Sequence, residues 1–170
     1  MDPLATVKRI VDTISFRRRV FVWMQFEPDA TGDAIVIVAF TSLALALLAG
    51  IRFTVFGTIS RALSALVAWL LIAALTWAAA RFIYNSRNDY APLLRIAGFG
   101  YPTTLLLLVT LRVFPGFLGY YLSFAWLVAV MAHGTQEVMD LNREQAWGAA
   151  LAGFGGLIVI QWILGGGGFI

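Results

Sequence analysis

A chain of 170 residues that is 61% hydrophobic and 12% charged lies far from soluble domains, which run about 45 to 50% apolar and about 25% charged. Once five spans of about 20 residues are drawn in it, little is left for a separate soluble catalytic domain. The net charge of +3 is no nucleic-acid footprint, because Lys and Arg fall between apolar blocks instead of clustering on one solvated face; the lack of cysteine excludes disulfides, thiolate chemistry and Cys-based metal sites.

Residues 1–33 read as a basic interfacial segment. Leu4, Val7, Val11 and Ile14 recur at steps of three and four and line one helical face, while Lys8, Arg9 and Asp12 lie elsewhere. Phe16, Phe21, Val22, Trp23 and Phe26 surround Arg17, Arg18 and Arg19. Such a mixture suits the headgroup layer, where each cation beside an anionic leaflet contributes about 1 kcal/mol. Lys8, Arg9, Arg17, Arg18 and Arg19 are therefore the expected membrane-surface residues, as a topology anchor or as a dedicated lipid or partner site. The first apolar block starts late and is longer than the roughly 7 to 15 residues of a signal-peptide core, so no cleaved signal peptide is expected.

Residues 34–170 read as a five-helix transmembrane domain. The uncharged run 34–51, between Asp33 and Arg52, predicts a first span, and 62–80, between Arg61 and Arg81, a second. The third, 96–114, carries Arg112 near its end, where a long side chain can snorkel. Pro115-Gly116 breaks the helix, so the fourth span, 117–133, forms a tight hairpin with the third. The fifth is 147–164; Asn142 followed by Gln145 is a capping box that opens this last helix after a turn near Leu141. The fold class is thus an all-α polytopic bundle of five transmembrane helices with an N-terminal amphipathic helix in the interface.

Counting cations gives the orientation. Lys8, Arg9, Arg17, Arg18, Arg19, Arg81, Arg87, Arg95 and Arg143 fall on one side of this arrangement, against Arg52, Arg61 and Arg112 on the other. The positive-inside rule predicts a cytoplasmic N-terminus and a C-terminus on the opposite side.

Enzymatic signatures do not emerge: there is no G-x-S-x-G elbow, H-E-x-x-H or Walker loop, and neither enzymatic activity nor a cofactor is expected. Gly98 and Gly100 begin like a dinucleotide fingerprint, but Thr103 stands where the third glycine belongs and no strand precedes them. His133, Glu137, Asp140 and Glu144 are spaced by four, three and four, which on one continuous helix makes a face able to hold a cation. The capping box interrupts that stripe, leaving His133, Glu137 and Asp140 as weak metal candidates beside the alternative of a hydrated helix end with a His133–Glu137 pair. Axial ligation of a haem or chlorophyll by His133 lacks a second ligand. Transport needs a polar path, and only Thr41, Ser42, Thr76, Thr103, Thr104, Thr110, Ser123 and Gln161, with the helix breaker Pro102, interrupt the spans. These suit interhelical hydrogen bonds.

The packing signal is clearer. Gly148, Ala152 and Gly156 repeat every four residues, and Ala149 with Gly153 make a second row, so two stripes admit close backbone approach by the chain's own helices or by a partner. No internal repeat is visible, and Gly165 to Gly168 reads as a flexible or closely packed tail.

Three stretches together resemble the Yip family of small polytopic membrane proteins (Ypt/Rab-interacting proteins). Glu27-Pro28-Asp29-Ala30-Thr31-Gly32-Asp33-Ala34 resembles the acidic approach to the family's first helix. Tyr90 to Pro102 resembles its amphipathic stretch with an Arg leading into a Gly-aromatic-small-x-Pro helix start. Trp126 to Ala146 resembles its fourth helix, a Gly-x-x-Glu turn at Gly134 to Glu137, and the Ala that begins the fifth. The resemblance implies a cytoplasmic N-terminus, a five-helix membrane domain and a role in membrane organisation. The Asp-Leu-Tyr-Gly-Pro type motif that links eukaryotic members to Rab GTPases has no counterpart here, and the short N-terminus is similar to prokaryotic members.

The expected function is therefore structural: a non-enzymatic integral membrane protein that interacts with lipids and with other membrane proteins or itself, and not with nucleic acid. Two alternatives are an accessory subunit of a larger electron-transfer or light-harvesting complex, and a small-solute transporter or channel in which Pro102, Thr103, Thr104 and Gln161 converge.

Overall fold

A computed structural model describes residues 3–48, 54–114 and 117–163, and all regular structure among them is helical. In chain order the helices are α1 (Pro3–Ile14), α2 (Arg18–Phe26), α3 (Ala30–Leu48), α4 (Val55–Phe82), α5 (Tyr90–Gly100), a 3-10 turn (Tyr101–Leu106), α6 (Leu107–Val113), α7 (Phe117–Met139) and α8 (Arg143–Ile163). Among the described residues, four stretches are long and apolar enough to cross a membrane by length and composition: Ala30–Leu48, Phe56–Phe82, Tyr90–Val113 and Arg143–Ile163. The remaining expected span, the fourth (117–133), corresponds to α7. At 23 residues it is about 34 Å long at 1.5 Å per residue, and His133, Gln136 and Glu137 lower the hydropathy of its last turns.

The helices of the first, second, third and fifth spans start before the apolar run that marks each, because polar first turns are stable where water or a cap satisfies the free N–H groups. The 34–51 run sits in a helix that begins at Ala30 with Asp33 in its first turn, where a carboxylate is favoured by the helix dipole; 49–51 lie outside the described residues. The Thr54 side chain accepts from Gly57 N at 3.1 Å and starts α4 well before residue 62, so Arg61 stands within the helix. Pro92 occupies the third position of α5, where its missing N–H has no intrahelical acceptor to serve. The fourth helix runs six residues past His133. The fifth opens on the expected capping box: Gln145 N donates to Asn142 Oδ1 at 2.9 Å and Asn142 N to Gln145 Oε1 at 3.3 Å. Pro115-Gly116, Leu164 and the Gly165 to Gly168 run lie outside the described residues.

Helix ends are made by three non-glycine residues in the left-handed region, Phe16 (φ 56°), Asn85 (φ 56°) and Asp140 (φ 52°). Asn and Asp tolerate this conformation, whereas a bulky Phe is a genuine outlier. Its ring is held in compensating contacts, 4.5 Å from His133 and 5.5 Å from Trp126 between centroids.

α5 is the central helix, with every residue from Leu93 to Gly100 buried and α3, α4 and α7 packed around it. Two glycines allow this crowding: a Cβ on Gly98 would collide with Ala34, and one on Gly100 would lie 2.9 Å from a Val130 methyl. Trp69 Nε1 donates to Leu94 O at 2.8 Å, locking α4 to the same helix. Pro102 cannot donate to Gly98 O; Tyr101 N takes that carbonyl instead, tightening the chain into the 3-10 turn. Outward positions are apolar, including Phe40, Leu47, Leu63, Leu151 and Trp162, an arrangement that suits hydrocarbon and not water.

Candidate polar layer at one end of the bundle

The start of α3, the end of α4, the start of α5, the end of α7 and the start of α8 share one end of the bundle, tied together by polar bonds among α2, the 83–89 connection and these helices. The carbonyls that close α7 have no intrahelical partner, and three side chains serve them. Gln25 Nε2 donates to Glu137 O at 3.2 Å, Asn88 Nδ2 to Val138 O at 2.6 Å and Ser86 Oγ to Met139 O at 3.0 Å. The Asn88 carbonyl in turn accepts from Trp77 Nε1 at 3.2 Å. The layer is thus a network of caps.

Arg95 is its buried cation, 7% exposed. Its Nη1 donates to Met24 O at 2.6 Å and Gln25 O at 3.4 Å, and its Nε to Thr31 Oγ1 at 3.0 Å. Among the described residues no carboxylate pairs with it; the negative end of the α2 dipole faces it instead. Counting charges had placed Arg95 with the loop cations. The signal of a different role was available in its neighbours, since Leu93-Leu94 before it and Ile96-Ala97 after it set a cation inside an apolar run. Gln25, Ser86 and Asn88 carried no such signal.

The expected membrane-surface cations divide into groups. Arg18 Nε bonds Glu137 Oε2 at 2.8 Å, so this residue docks α2 on α7. Arg17 and Arg19 both pair with Asp12, at 3.4 and 2.8 Å. Arg9 lies over the Trp23 ring, 3.9 Å from its centroid. Lys8, Arg9, Asp12, Arg19 and Trp23 line a pocket of about 290 Å³ between α1 and α2.

α1 turns Thr6 and Thr13 inward and leaves Leu4 (81%), Val7 (58%) and Val11 (56%) exposed. Trp126 Nε1 donates to Ile14 O at 3.1 Å. On the flank away from α2, an apolar cavity of about 390 Å³ is lined by Val7 and Ile10 together with Phe40, Thr41, Pro102 and Leu105. α1 thus lies across the helices at the level of Pro102, seven residues and about 10 Å beyond Arg95 at the helical rise.

The metal candidates are not gathered into a ligand set. No group of three His, Cys, Asp or Glu able to hold a metal occurs among the described residues. His133 is placed between the rings of Phe16 and Trp147, with Nδ1 3.0 Å from Ala129 O. Glu137 is engaged by Arg18, and Asp140 has left the helix.

Both small-residue rows on α8 meet α4 or its end. A Cβ on Gly153 would strike Thr76, one on Gly148 the Tyr84 hydroxyl, and one on Gly156 would come within 3.1 Å of Leu75. Ala149 is fully buried, whereas Ala152 is exposed. The Thr103 and Thr104 hydroxyls donate to the carbonyls of Gly100 and Tyr101, both at 2.8 Å, so neither presents a free donor to a solute.

The family model described as the Yip1 domain matches residues 12–165. No curated protein matches the chain, and no solved structure does.

Proposed function

The chain belongs to the Yip1 domain family, a multi-pass membrane protein, and from that premise we propose that it organises the surrounding membrane without catalysis, by holding an in-plane helix in one leaflet. The observation that carries this reading is the outward stripe of Leu4, Val7 and Val11 on α1. Apolar surface presented away from the bundle is stable only against hydrocarbon or a partner. The helix that presents it is fastened at its end by Trp126 and lies across only part of the span length. It adds volume to one leaflet and none to the other, which favours bending toward the opposite leaflet.

The cation distribution supports placing this layer in the cytoplasmic leaflet, with the C-terminus outside. The partners in this reading are lipids first, then other membrane proteins or further copies. Transport is supported less, because the hydroxyls beside Pro102 are bonded to their own backbone.

The test is reconstitution into vesicles of phosphatidylcholine with a minor fraction of phosphatidylglycerol, imaged by electron microscopy. The intact protein is expected to shrink or tubulate the vesicles, and a Leu4→Ser, Val7→Ser, Val11→Ser variant to leave them spherical. Vesicle shape that is the same with both proteins would end the proposal.

A further inference from the structure

We infer that the pocket between α1 and α2 binds the phosphate of an anionic phospholipid, with Lys8 and Arg9 as its ligands. The inference rests on the in-plane placement of α1 proposed above and adds a ligand to it.

Charge balance selects these two residues. Asp12 is the pocket's carboxylate, and both its oxygens are occupied, Oδ1 by Arg17 at 3.4 Å and Oδ2 by Arg19 at 2.8 Å. That triad already carries excess positive charge. Among the described residues neither Lys8 nor Arg9 has an ion-pair partner, so beyond the Asp12 triad the pocket wall offers two cations that these residues do not neutralise. An opening lined this way attracts an oxyanion.

Geometry separates their roles. The Arg9 guanidinium is fixed over the Trp23 ring at 3.9 Å, a stacking that engages its face and leaves its N–H edges free. A planar donor held in advance suits two oxygens of one phosphate, while Lys8, exposed on the next position, supplies a mobile point charge. The volume of about 290 Å³ accommodates a headgroup and not a folded partner.

The rest of α1 points to lipid as the source of that phosphate. Its outward stripe is apolar, and the cavity of about 390 Å³ on its other flank is lined by Val7, Ile10, Phe40 and Leu105. A phosphate held at Arg9 is therefore flanked by surface that accepts acyl chains, which a soluble phosphate does not need.

The experiment is native mass spectrometry of the full-length protein after equilibration in detergent with equal amounts of phosphatidylglycerol and phosphatidylcholine. Phosphatidylglycerol should be retained roughly ten- to thirty-fold over phosphatidylcholine, the preference expected of two surface cations. The double variant Lys8→Gln, Arg9→Gln should bring the two lipids to about equal retention, while Arg61→Gln at the other end of the bundle leaves the preference intact. Equal retention by the intact protein, or an undiminished preference in the double variant, overturns the site. Displacement of phosphatidylglycerol by inorganic phosphate overturns the lipid as its source. Vesicle remodelling that persists in the double variant while its lipid preference is unchanged from the intact protein removes this inference and leaves the in-plane helix proposal standing.

Discussion

Arg95 Nη1 donates to the Met24 carbonyl at 2.6 Å, joining the buried start of the central helix to the open end of α2. A charged donor at a helix C-terminus meets carbonyls that have no other partner and a dipole of the right sign. Arg95 thereby ties the end of α2 and the first turn of α3 to α5, beside the Arg18 and Gln25 contacts that dock α2 on α7.

Replacing Arg95 with Met should therefore release α2 without collapsing the spans. The apolar stem is kept, and the loss is that of charge-assisted hydrogen bonds, about 2 to 4 kcal/mol together. Thermal unfolding in detergent should show a clear fall in Tm, and limited proteolysis should cut near residues 15–28 first. Arg95→Lys, with one compact donor group, should lie between the two. A variant as stable and as protease-resistant as the parent would show that α2 is held by its apolar contacts, Val20, Phe21 and Met24.

How much of this was legible depended on sequence distance. The Asn142–Gln145 capping box was readable because both bonds close within three residues, and the five apolar runs were readable because lipid demands length and composition. The Arg95 contacts reach back 64 to 71 residues, and no local pattern encodes that return. The same holds for His133: its spacing to Glu137 and Asp140 suggested a polar face, yet its neighbours are Phe16, far back in the chain, and Trp147 on the next helix.

His133 should thus behave as a ring and not as a ligand. His133→Phe preserves the stack with Phe16 and Trp147 and should change stability by less than about 0.5 kcal/mol. His133→Ala leaves the left-handed Phe16 without one of its supports and should cost about 1 to 2 kcal/mol. Both are measured by unfolding in detergent. A drop in copurified zinc or manganese on His133→Phe would reverse this assignment.

The α4–α8 contact gives a paired comparison. A Cβ on Gly153 would lie 2.9 Å from the Thr76 amide nitrogen and 3.1 Å from its Cα, backbone atoms that cannot step aside, whereas one on Gly155 meets nothing within 4 Å. Gly153→Ala should separate the helices and cost about 1 to 3 kcal/mol. Gly155→Ala should stabilise by up to about 1 kcal/mol through helix propensity alone. If both variants shift Tm in the same direction, close packing at Gly153 is not what joins these helices.

The capping box supplies a last prediction, in which the two bonds are unequal. Gln145 N to Asn142 Oδ1 is 2.9 Å, whereas Asn142 N to Gln145 Oε1 is 3.3 Å. Asn142 also follows Leu141, buried against the core, so the cap stands where the turn joins α8. Asn142→Ala should cost about 1 kcal/mol and Gln145→Ala less than half of that, while Asn142→Asp retains the acceptor and should be nearly neutral. Hydrogen exchange at the amides of residues 143–146 reads the effect directly. Faster exchange in Asn142→Ala but not in Asn142→Asp would tie the start of α8 to that one oxygen, and equal exchange in both would mean that packing of Ala146 and Ala149 sets it.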